Sequence, residues 1–421
     1  MTEKFSIQGN IPLSGEVEIS GYKNSAGAIL AATLLTDEEC QIDNLPQISD
    51  IFDLIEILKQ IGVKIEWQGK GKIKIKAENI NPEKIPFDLF EKTRVSVLLI
   101  GPLVARLGSF KIPHPGGDKI GLRPITAHLE GLKKLGVSVK EEKGFYFFEA
   151  PKKITGENIV LNEFSVTATE NLMMAASLSK GKTKIEIAAA EPQVQDLGEF
   201  LKKMGLKIEG AGTHTIEIEG EKKLSGADFS ICPDPWEAGT FLIAFAITKG
   251  KGIIKNVRPE HLSMFLEKLK EIGVNFKTGQ NEISVLPSSD FKAAKIQALP
   301  YPGFPTDLQP QTSVLLTQAE GKSLIHDPLY ENRFSHLHEL RKMGADIEIT
   351  DPHRALIFGK KNLIGTKVNG NDIRAGAALI LAGLAAKGQT IVTNAHQVDR
   401  GYEKIEEKLK KLGAKIERIK E

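Results

Sequence analysis

Cysteine is nearly missing from this chain. Cys40 and Cys232 are the only two in 421 residues. They are too few and too far apart for a disulfide framework, and they fit a protein kept in a reducing cytosol. An excess of charge of one sign is missing as well: 56 lysines and arginines face 54 acids. That excludes the basic face on which a nucleic-acid scaffold depends. No apolar run approaches the roughly 20 residues that span a bilayer. The opening MTEKFSIQGN holds no apolar targeting core, so no signal peptide is expected. No His/Cys cluster has the spacing of metal ligands, and no Walker or dinucleotide glycine motif follows a strand. The expectation is a cytoplasmic protein without metal or cofactor, acting on small molecules rather than on nucleic acid or membrane. At this length a single core is too small a container, and two domains follow as a prior.

What the chain has instead is repetition. An amphipathic helix that ends at glycine and drops into a strand occurs six times, in forms such as LIEILKQIGVKIEW from Leu54, HLEGLKKLGVSVKE from His128 and FLEKLKEIGVNFKTG from Phe265. The glycines are Gly62, Gly136, Gly205, Gly273, Gly344 and Gly413, separated by 74, 69, 68, 71 and 69 residues. A fixed period of this kind means one supersecondary unit used six times. The glycine sits just past the helix end, where a left-handed backbone penalises a β-carbon. Between these copies run six nearly all-apolar helices, starting near Asn24, Val95, Ala168, Glu237, Leu308 and Ile373. A helix apolar on most faces is buried. The pattern predicts an α/β protein of two pseudo-threefold globules, helices inside and sheets outside. Residues 23–232 form the first, which carries the loop 111–124. Residues 1–22 and 233–421 form the second, and a ligand cleft lies between them.

The openings of the six buried helices occupy equivalent positions: Lys23-Asn24-Ser25, Thr93-Arg94, Ser165-Val166-Thr167, Glu237–Thr240, Thr306-Asp307 and Asp372–Arg374. Helix N-termini bind anions through unpaired amides and the helix dipole. If both globules turn these ends to the cleft, six dipoles converge there. Asn24, Ser165 and Asp307 read equally well as helix caps. Lys23, Arg94 and Arg374 do not, because they oppose the dipole. Arginine is used sparingly, ten against 46 lysines. Arg94, Arg123, Arg333, Arg374 and Arg400 all fall in loops or at helix starts, where a planar fork suits phosphate and carboxylate. Arg341 and Arg418 read as surface arginines without partners. The loop KIPHPGGDKIGLRP, 111–124, is rich in glycine and proline and reads as a mobile lid carrying Asp118, Lys119 and Arg123.

Seven ordered motifs carry a resemblance that covers essentially the whole chain. They are SGYKNSAGAIL from Ser20, GPLVARLG from Gly101, PGGDKIGLRP from Pro115, FPTDLQPQ from Phe304, YENRF from Tyr330, DIRAGAALILAG from Asp372 and DRGYEKIEEKL from Asp399. In these the chain resembles the UDP-N-acetylglucosamine 1-carboxyvinyltransferases, a branch of the enolpyruvyl transferase family. That family has a two-domain inverted α/β barrel. The shikimate-pathway members open with a Lys-Ser pair where this chain has Lys23-Asn24.

The resemblance implies a metal-free addition and elimination. Phosphoenolpyruvate is protonated at its methylene carbon, the sugar 3-hydroxyl attacks its second carbon, and phosphate leaves. By the same resemblance Lys23, Asn24, Arg123, Arg374 and Arg400 contact phosphoenolpyruvate. Asp307 faces the sugar hydroxyl as candidate base, and Asp118 stands as general acid in the mobile loop. Lys23 and Arg400 complete the catalytic set. The sugar nucleotide would meet Asn24, Arg94, Arg123, Pro124, Ile125, Thr126, Ala127, Glu163, Phe164, Ser165, Val166, Thr167, Asp307 and Leu329. Many members carry cysteine where this chain has Asp118, and that cysteine is what the epoxide fosfomycin alkylates, so resistance is expected. Thr126 stands where an acid is common, and Glu163 where a lysine often meets the diphosphate. Two other readings compete: the same fold acting on another acceptor, such as shikimate 3-phosphate, and a ligand-binding paralogue without catalysis. The presence of Lys23, Asp307 and Arg400 argues against the second.

Overall fold

The computed structural model describes residues 3–118 and 120–420. Lys119, named above in the loop, lies outside the described residues. Contacts divide the chain into two units. One holds residues 21–118 and 123–232, and the other holds 3–20, 120–122 and 233–420.

In the first unit the inner helices are Lys23–Ala32, Ile100–Leu107 and Val166–Ala176, and the outer ones Ser49–Gln60, Thr126–Lys134 and Pro192–Lys203. The inner helices have almost no exposed face: in Lys23–Ala32 only Asn24 is less than fully buried. The outer helices bury one stripe, which in Ser49–Gln60 is Ile51, Leu54, Ile55, Ile57 and Leu58. The second inner helix departs from the sequence expectation. Arg94–Leu99 is a 3-10 helix, and α-helical geometry begins only at Ile100. Pro102 brings no backbone donor to the first turn. Asn171, buried in the neighbouring inner helix, bonds the junction instead. Its carboxamide oxygen accepts from the Gly101 N–H at 2.6 Å, and its amide donates to the Val97 carbonyl at 3.0 Å.

The second unit repeats the plan. Its inner helices are Pro235–Ile247, Gln309–Thr317 and Ile373–Ala385, and its outer ones Ser263–Ile272, Ser335–Lys342 and Ile405–Lys411. The expected helix from Leu308 likewise opens with a 3-10 turn, Thr306–Leu308, before Pro310. Each repeat contributes one small sheet. The strand after an inner helix pairs antiparallel with a hairpin strand and, in most copies, parallel with a short strand arriving from elsewhere. Lys182–Glu186, for example, lies antiparallel to Thr215–Glu219 and parallel to Asn158–Val160.

The amino-terminal strands complete this unit. Ser14–Glu18 runs parallel to Lys251–Lys255. Glu3–Gln8 lies between Gln389–Thr393 and Lys415–Lys420, antiparallel to both. The chain therefore leaves the unit after Ser20 and returns at Pro233. Residues 120–122 group with it too. The Asn332 N–H donates to the Ile120 carbonyl at 3.0 Å, and the Leu122 N–H to a Glu331 carboxylate oxygen at 3.2 Å. All six repeat glycines have positive φ, from +83° at Gly136 to +104° at Gly62.

Candidate active site

The second unit gathers charge where its three inner helices begin. Asp234 caps the first of them, its Oδ1 accepting from the Trp236 and Glu237 N–H groups at 2.8 and 3.0 Å. Asp372 caps the third in the same way, at 2.9 Å from both Arg374 and Ala375 nitrogens. Asp307, at the start of the second, makes no cap. Its Oδ1 instead accepts from Arg333 Nη2 at 2.7 Å and faces Arg374 Nε at 3.3 Å. Arg333 and Arg374 are 2% and 4% exposed. Two buried guanidiniums thus share one carboxylate oxygen, with Asp372 and Asp327 also acting on Arg333 and Asp234 on Arg374. Burial works to raise the Asp307 pKa, but the charges of Arg374 and Arg333 outweigh it and hold the group at about 2. Arg374 also stacks on Tyr402, its guanidinium carbon 5.4 Å from the ring centre.

Asp327, beside this group, accepts from the Thr306 hydroxyl at 2.6 Å and from the Leu329 N–H at 3.2 Å, so Leu329 stands close to the Asp307 turn with a half-exposed side chain. Arg400 is half-buried and donates to Gln397 at 2.9 Å. The residue before it, Asp399, is held bidentately by Arg418, through Nη1 at 2.9 Å and Nη2 at 2.7 Å. Arg418 is therefore no idle surface arginine. It also bonds Glu406 and Glu3, each at 2.7 Å, and lies over the Phe5 ring. Arg341 likewise has a partner, the Ile347 carbonyl at 2.9 Å. The two differ in cause: Arg341 meets a carbonyl six residues on, across the turn after its own helix, whereas Arg418 gathers acceptors as remote as Glu3.

The first unit holds the remaining candidates. Lys23 opens its helix, 8% exposed, and pairs with Asp50 Oδ2 at 2.6 Å. The cap reading fails here: neither Asn24 nor Ser165 bonds its helix N-terminus, and Asn24 donates to the Tyr22 hydroxyl at 3.1 Å. The first-turn amides are thus not closed by their own side chains. Arg94 opens its 3-10 segment and reaches the Pro124 carbonyl at 3.4 Å. Gly117, with φ +118°, is wedged beside the two arginines of this region. A β-carbon there would lie 2.7 Å from Arg94 Cβ and 3.3 Å from Arg123 Nη1. Arg94 and Arg123 thus meet beside Gly117, and Asp118, the next residue, is half-buried.

Beyond Arg123, Pro124 and Thr126 are exposed and Ile125 and Ala127 buried, and Thr126 begins an outer helix. Glu163 and Phe164 are exposed, and Phe164 packs on the His214 ring at 4.8 Å between centroids. Ser165, Val166 and Thr167 are half-buried, and the Thr167 hydroxyl bonds His128 Nε2 at 2.9 Å. Burial and the nearby Arg94 hold His128 at about 3, so it serves as a neutral partner. Among the described residues no group of His, Cys, Asp or Glu is arranged to hold a metal ion, and no helix is long and apolar enough to cross a membrane.

The sequence offered Arg333 as one of five arginines suited to an anion, but not its pairing with Asp307. Asp234 and Tyr402 were given no role there, since a lone acid or tyrosine becomes informative only beside its partners.

Comparison with known proteins shows the family. Residues 7–409 match the family model described as EPSP synthase (3-phosphoshikimate 1-carboxyvinyltransferase). The chain is 46% identical over 417 residues to a UDP-N-acetylglucosamine 1-carboxyvinyltransferase of Thermotoga maritima, covering 99% of each. To the protein of that name in Coxiella burnetii it is 44% identical over 418 residues, covering 99% of this chain and 96% of the relative. Among solved structures, the enolpyruvyl transferase NikO from Streptomyces tendae superposes with a TM-score of 0.89 at 26% identity, over 99% of both chains. An EPSP synthase from Acinetobacter baumannii reaches 0.76 at 19% identity over the full length of both, which shows a shared fold. The fold is the α/β architecture of these enzymes, and the chain belongs to the enolpyruvyl transferase family, in its UDP-N-acetylglucosamine 1-carboxyvinyltransferase branch.

Proposed function

We propose that this protein transfers the enolpyruvyl group of phosphoenolpyruvate to the 3-hydroxyl of UDP-N-acetylglucosamine and releases phosphate, opening peptidoglycan precursor synthesis in the cytoplasm. The observation that carries the reading is the Asp307 turn. An ionised carboxylate is presented at a helix start between two buried arginines, each of which keeps a buried guanidinium nitrogen without a hydrogen-bond partner among the described residues. Such a site accepts a hydroxyl hydrogen and an anion side by side.

In the addition step Asp118 gives a proton to the methylene carbon of phosphoenolpyruvate. The acceptor oxygen bonds to the second carbon as its own proton passes toward Asp307. In the elimination step the bond to phosphate breaks as the leaving phosphate takes up the proton held by Asp307, the added methyl returns a proton to Asp118, and the vinyl group is restored. Lys23, Arg123, Arg374 and Arg400 hold the phosphate and carboxylate of phosphoenolpyruvate. Asn24, Arg94, the stretch 123–127, the stretch 163–167 and Leu329 hold the sugar nucleotide. Thr126 and Glu163 offer it a hydroxyl and a carboxylate.

The test is phosphate release from phosphoenolpyruvate with UDP-N-acetylglucosamine, with shikimate 3-phosphate, or with no acceptor. Release that depends on UDP-N-acetylglucosamine is expected. Release with shikimate 3-phosphate alone, or with neither, overturns the assignment.

A further inference from the structure

The Tyr402 hydroxyl lies where the three inner helices of the second unit meet. Its hydrogen-bond directions are fixed by its neighbours. The Thr240 hydroxyl donates to the Trp236 carbonyl at 2.8 Å, so at 2.9 Å from Tyr402 it acts as acceptor for the phenol hydrogen. The Gln311 side-chain amide donates to the phenol oxygen at 3.1 Å and also lies 3.3 Å from the Thr240 oxygen. Thr240 belongs to Pro235–Ile247 and Gln311 to Gln309–Thr317. The third helix, Ile373–Ala385, contributes Arg374 over the ring face.

Tyr402 is 1% exposed and burial pushes its pKa up, so the group stays a neutral phenol. The bonds within this buried triad favour one arrangement of the phenol, although the Gln311 Oε1 has no hydrogen-bond partner of its own. Arg374 too is incompletely bonded: its Nη1 is buried without a hydrogen-bond partner, and it shares Asp307 with Arg333. The carboxylate fixes one edge of the guanidinium. The ring face fixes its plane.

We propose that Tyr402 is a positioning residue: its ring, locked by Thr240 and Gln311, presets the plane of Arg374 so that the unbonded guanidinium edge meets the anionic end of phosphoenolpyruvate. This rests on the reading of Arg374 as a phosphoenolpyruvate contact. A side chain held within tenths of an ångström by its supporting shell is what such a contact needs.

The experiment compares the parent with Tyr402→Leu, Tyr402→Phe, Arg374→Met and the Tyr402→Leu/Arg374→Met double variant, with initial rates measured against each substrate separately. Loss of a stacked cation on a buried ring is worth about 1 kcal/mol or somewhat more, roughly a tenfold change. Tyr402→Leu should therefore raise the KM for phosphoenolpyruvate about tenfold and leave that for UDP-N-acetylglucosamine within about twofold. Tyr402→Phe keeps the ring and should cost only about two- to fivefold. In the Arg374→Met background, Tyr402→Leu should add less than about twofold, because coupled residues are not additive. An unchanged KM for phosphoenolpyruvate, equal effects on both substrates, or full additivity overturns the proposal. If Tyr402→Leu fails to fold, Tyr402→Phe carries the same test: a phosphoenolpyruvate KM equal to the parent's overturns it. If the parent itself releases no phosphate with any acceptor, the functional reading falls. Calorimetric titration of phosphoenolpyruvate onto parent and Tyr402→Phe then decides the positioning role separately, equal affinity counting against it.

Discussion

Asp307 accepts from two guanidiniums through one oxygen, and its acid–base behaviour follows from that geometry. Held at about 2, it is ionised throughout the neutral range. It gains basicity only when an anion draws off the charge of Arg374. Asp307→Ala should cut turnover by roughly 10²–10⁴ and leave sugar-nucleotide affinity within about tenfold, as steady-state rates and calorimetry would show. Turnover within a few-fold of the parent would remove Asp307 from the catalytic groups. The same carboxylate contributes to stability with a definite sign. Its folded pKa lies below the ordinary 3.8, so its contribution is complete above that value and is lost as pH falls toward about 2. Asp118 sets a different test. A carboxylate is a far weaker nucleophile toward an epoxide than a thiolate. Cys40 and Cys232, both buried, offer no substitute. The parent should stay active and unmodified with fosfomycin and UDP-N-acetylglucosamine, followed by intact mass. Asp118→Cys should gain both adduct and sensitivity, and an adduct on the parent would refute the idea.

The repeated helix–glycine–strand element offers a comparison between copies. Gly205 has φ +97° and nothing within 4 Å of a would-be β-carbon, whereas at Gly62, φ +104°, that carbon would sit 2.3 Å from the Asn79 carbonyl oxygen. Gly205→Ala meets only backbone strain, about 1 kcal/mol. Gly62→Ala meets the strain and a fixed backbone atom, and should lower the urea midpoint clearly further. Equal midpoints for the two variants would show that the turn at Gly62 relaxes freely. The inner helices show a second property of elements. Two of them open as 3-10 segments ahead of Pro102 and Pro310. In the second of these the turn places Asp307 toward Arg333 rather than over its own helix end.

For the molecule as a whole, buried titratable groups set the behaviour in mild acid. Burial, aided by Arg94 at His128 and by Arg333 at His336, holds both histidines at about 3. The unfolded chain binds these protons near 6.5, so the histidines' contribution to stability rises with pH between the two values. Asp234, raised by burial to about 6, and Glu170, raised by burial, act with the opposite sign below their own values. The histidine part is isolated by comparison: His336→Gln should lose less stability than the parent between pH 7 and 5 if the fold survives, as denaturation midpoints would show. Parallel profiles for the two would contradict this. Ligand should change the molecule too. Asp118 and Arg123 of the loop 111–124 contact substrate in the proposed reaction, so the sugar nucleotide should favour a ligand-bound form of that loop. Limited proteolysis within 111–124 should slow at saturating UDP-N-acetylglucosamine, and an identical cleavage pattern with and without it would count against this.

The architecture was legible in the sequence because its signals are local. A helix that stops at glycine is decided by its own last turn, and an all-apolar helix declares its burial by composition, so six copies of each announce the repeat. The residues proposed for the chemistry were picked out as scarce arginines and acids at helix starts and then by resemblance. What those residues do to one another was not legible. Arg333 lies 26 residues from Asp307, Tyr402 lies 162 from Thr240, and Arg418 lies 415 from Glu3. Whether Asp307, Asn24 and Ser165 cap their helices or turn elsewhere, and whether Arg418 is idle or binds three carboxylates, depends on which helix starts and strand ends come together. Ion pairs and hydrogen bonds act over a few ångströms of space whatever the separation along the chain, so only the tertiary structure could decide them.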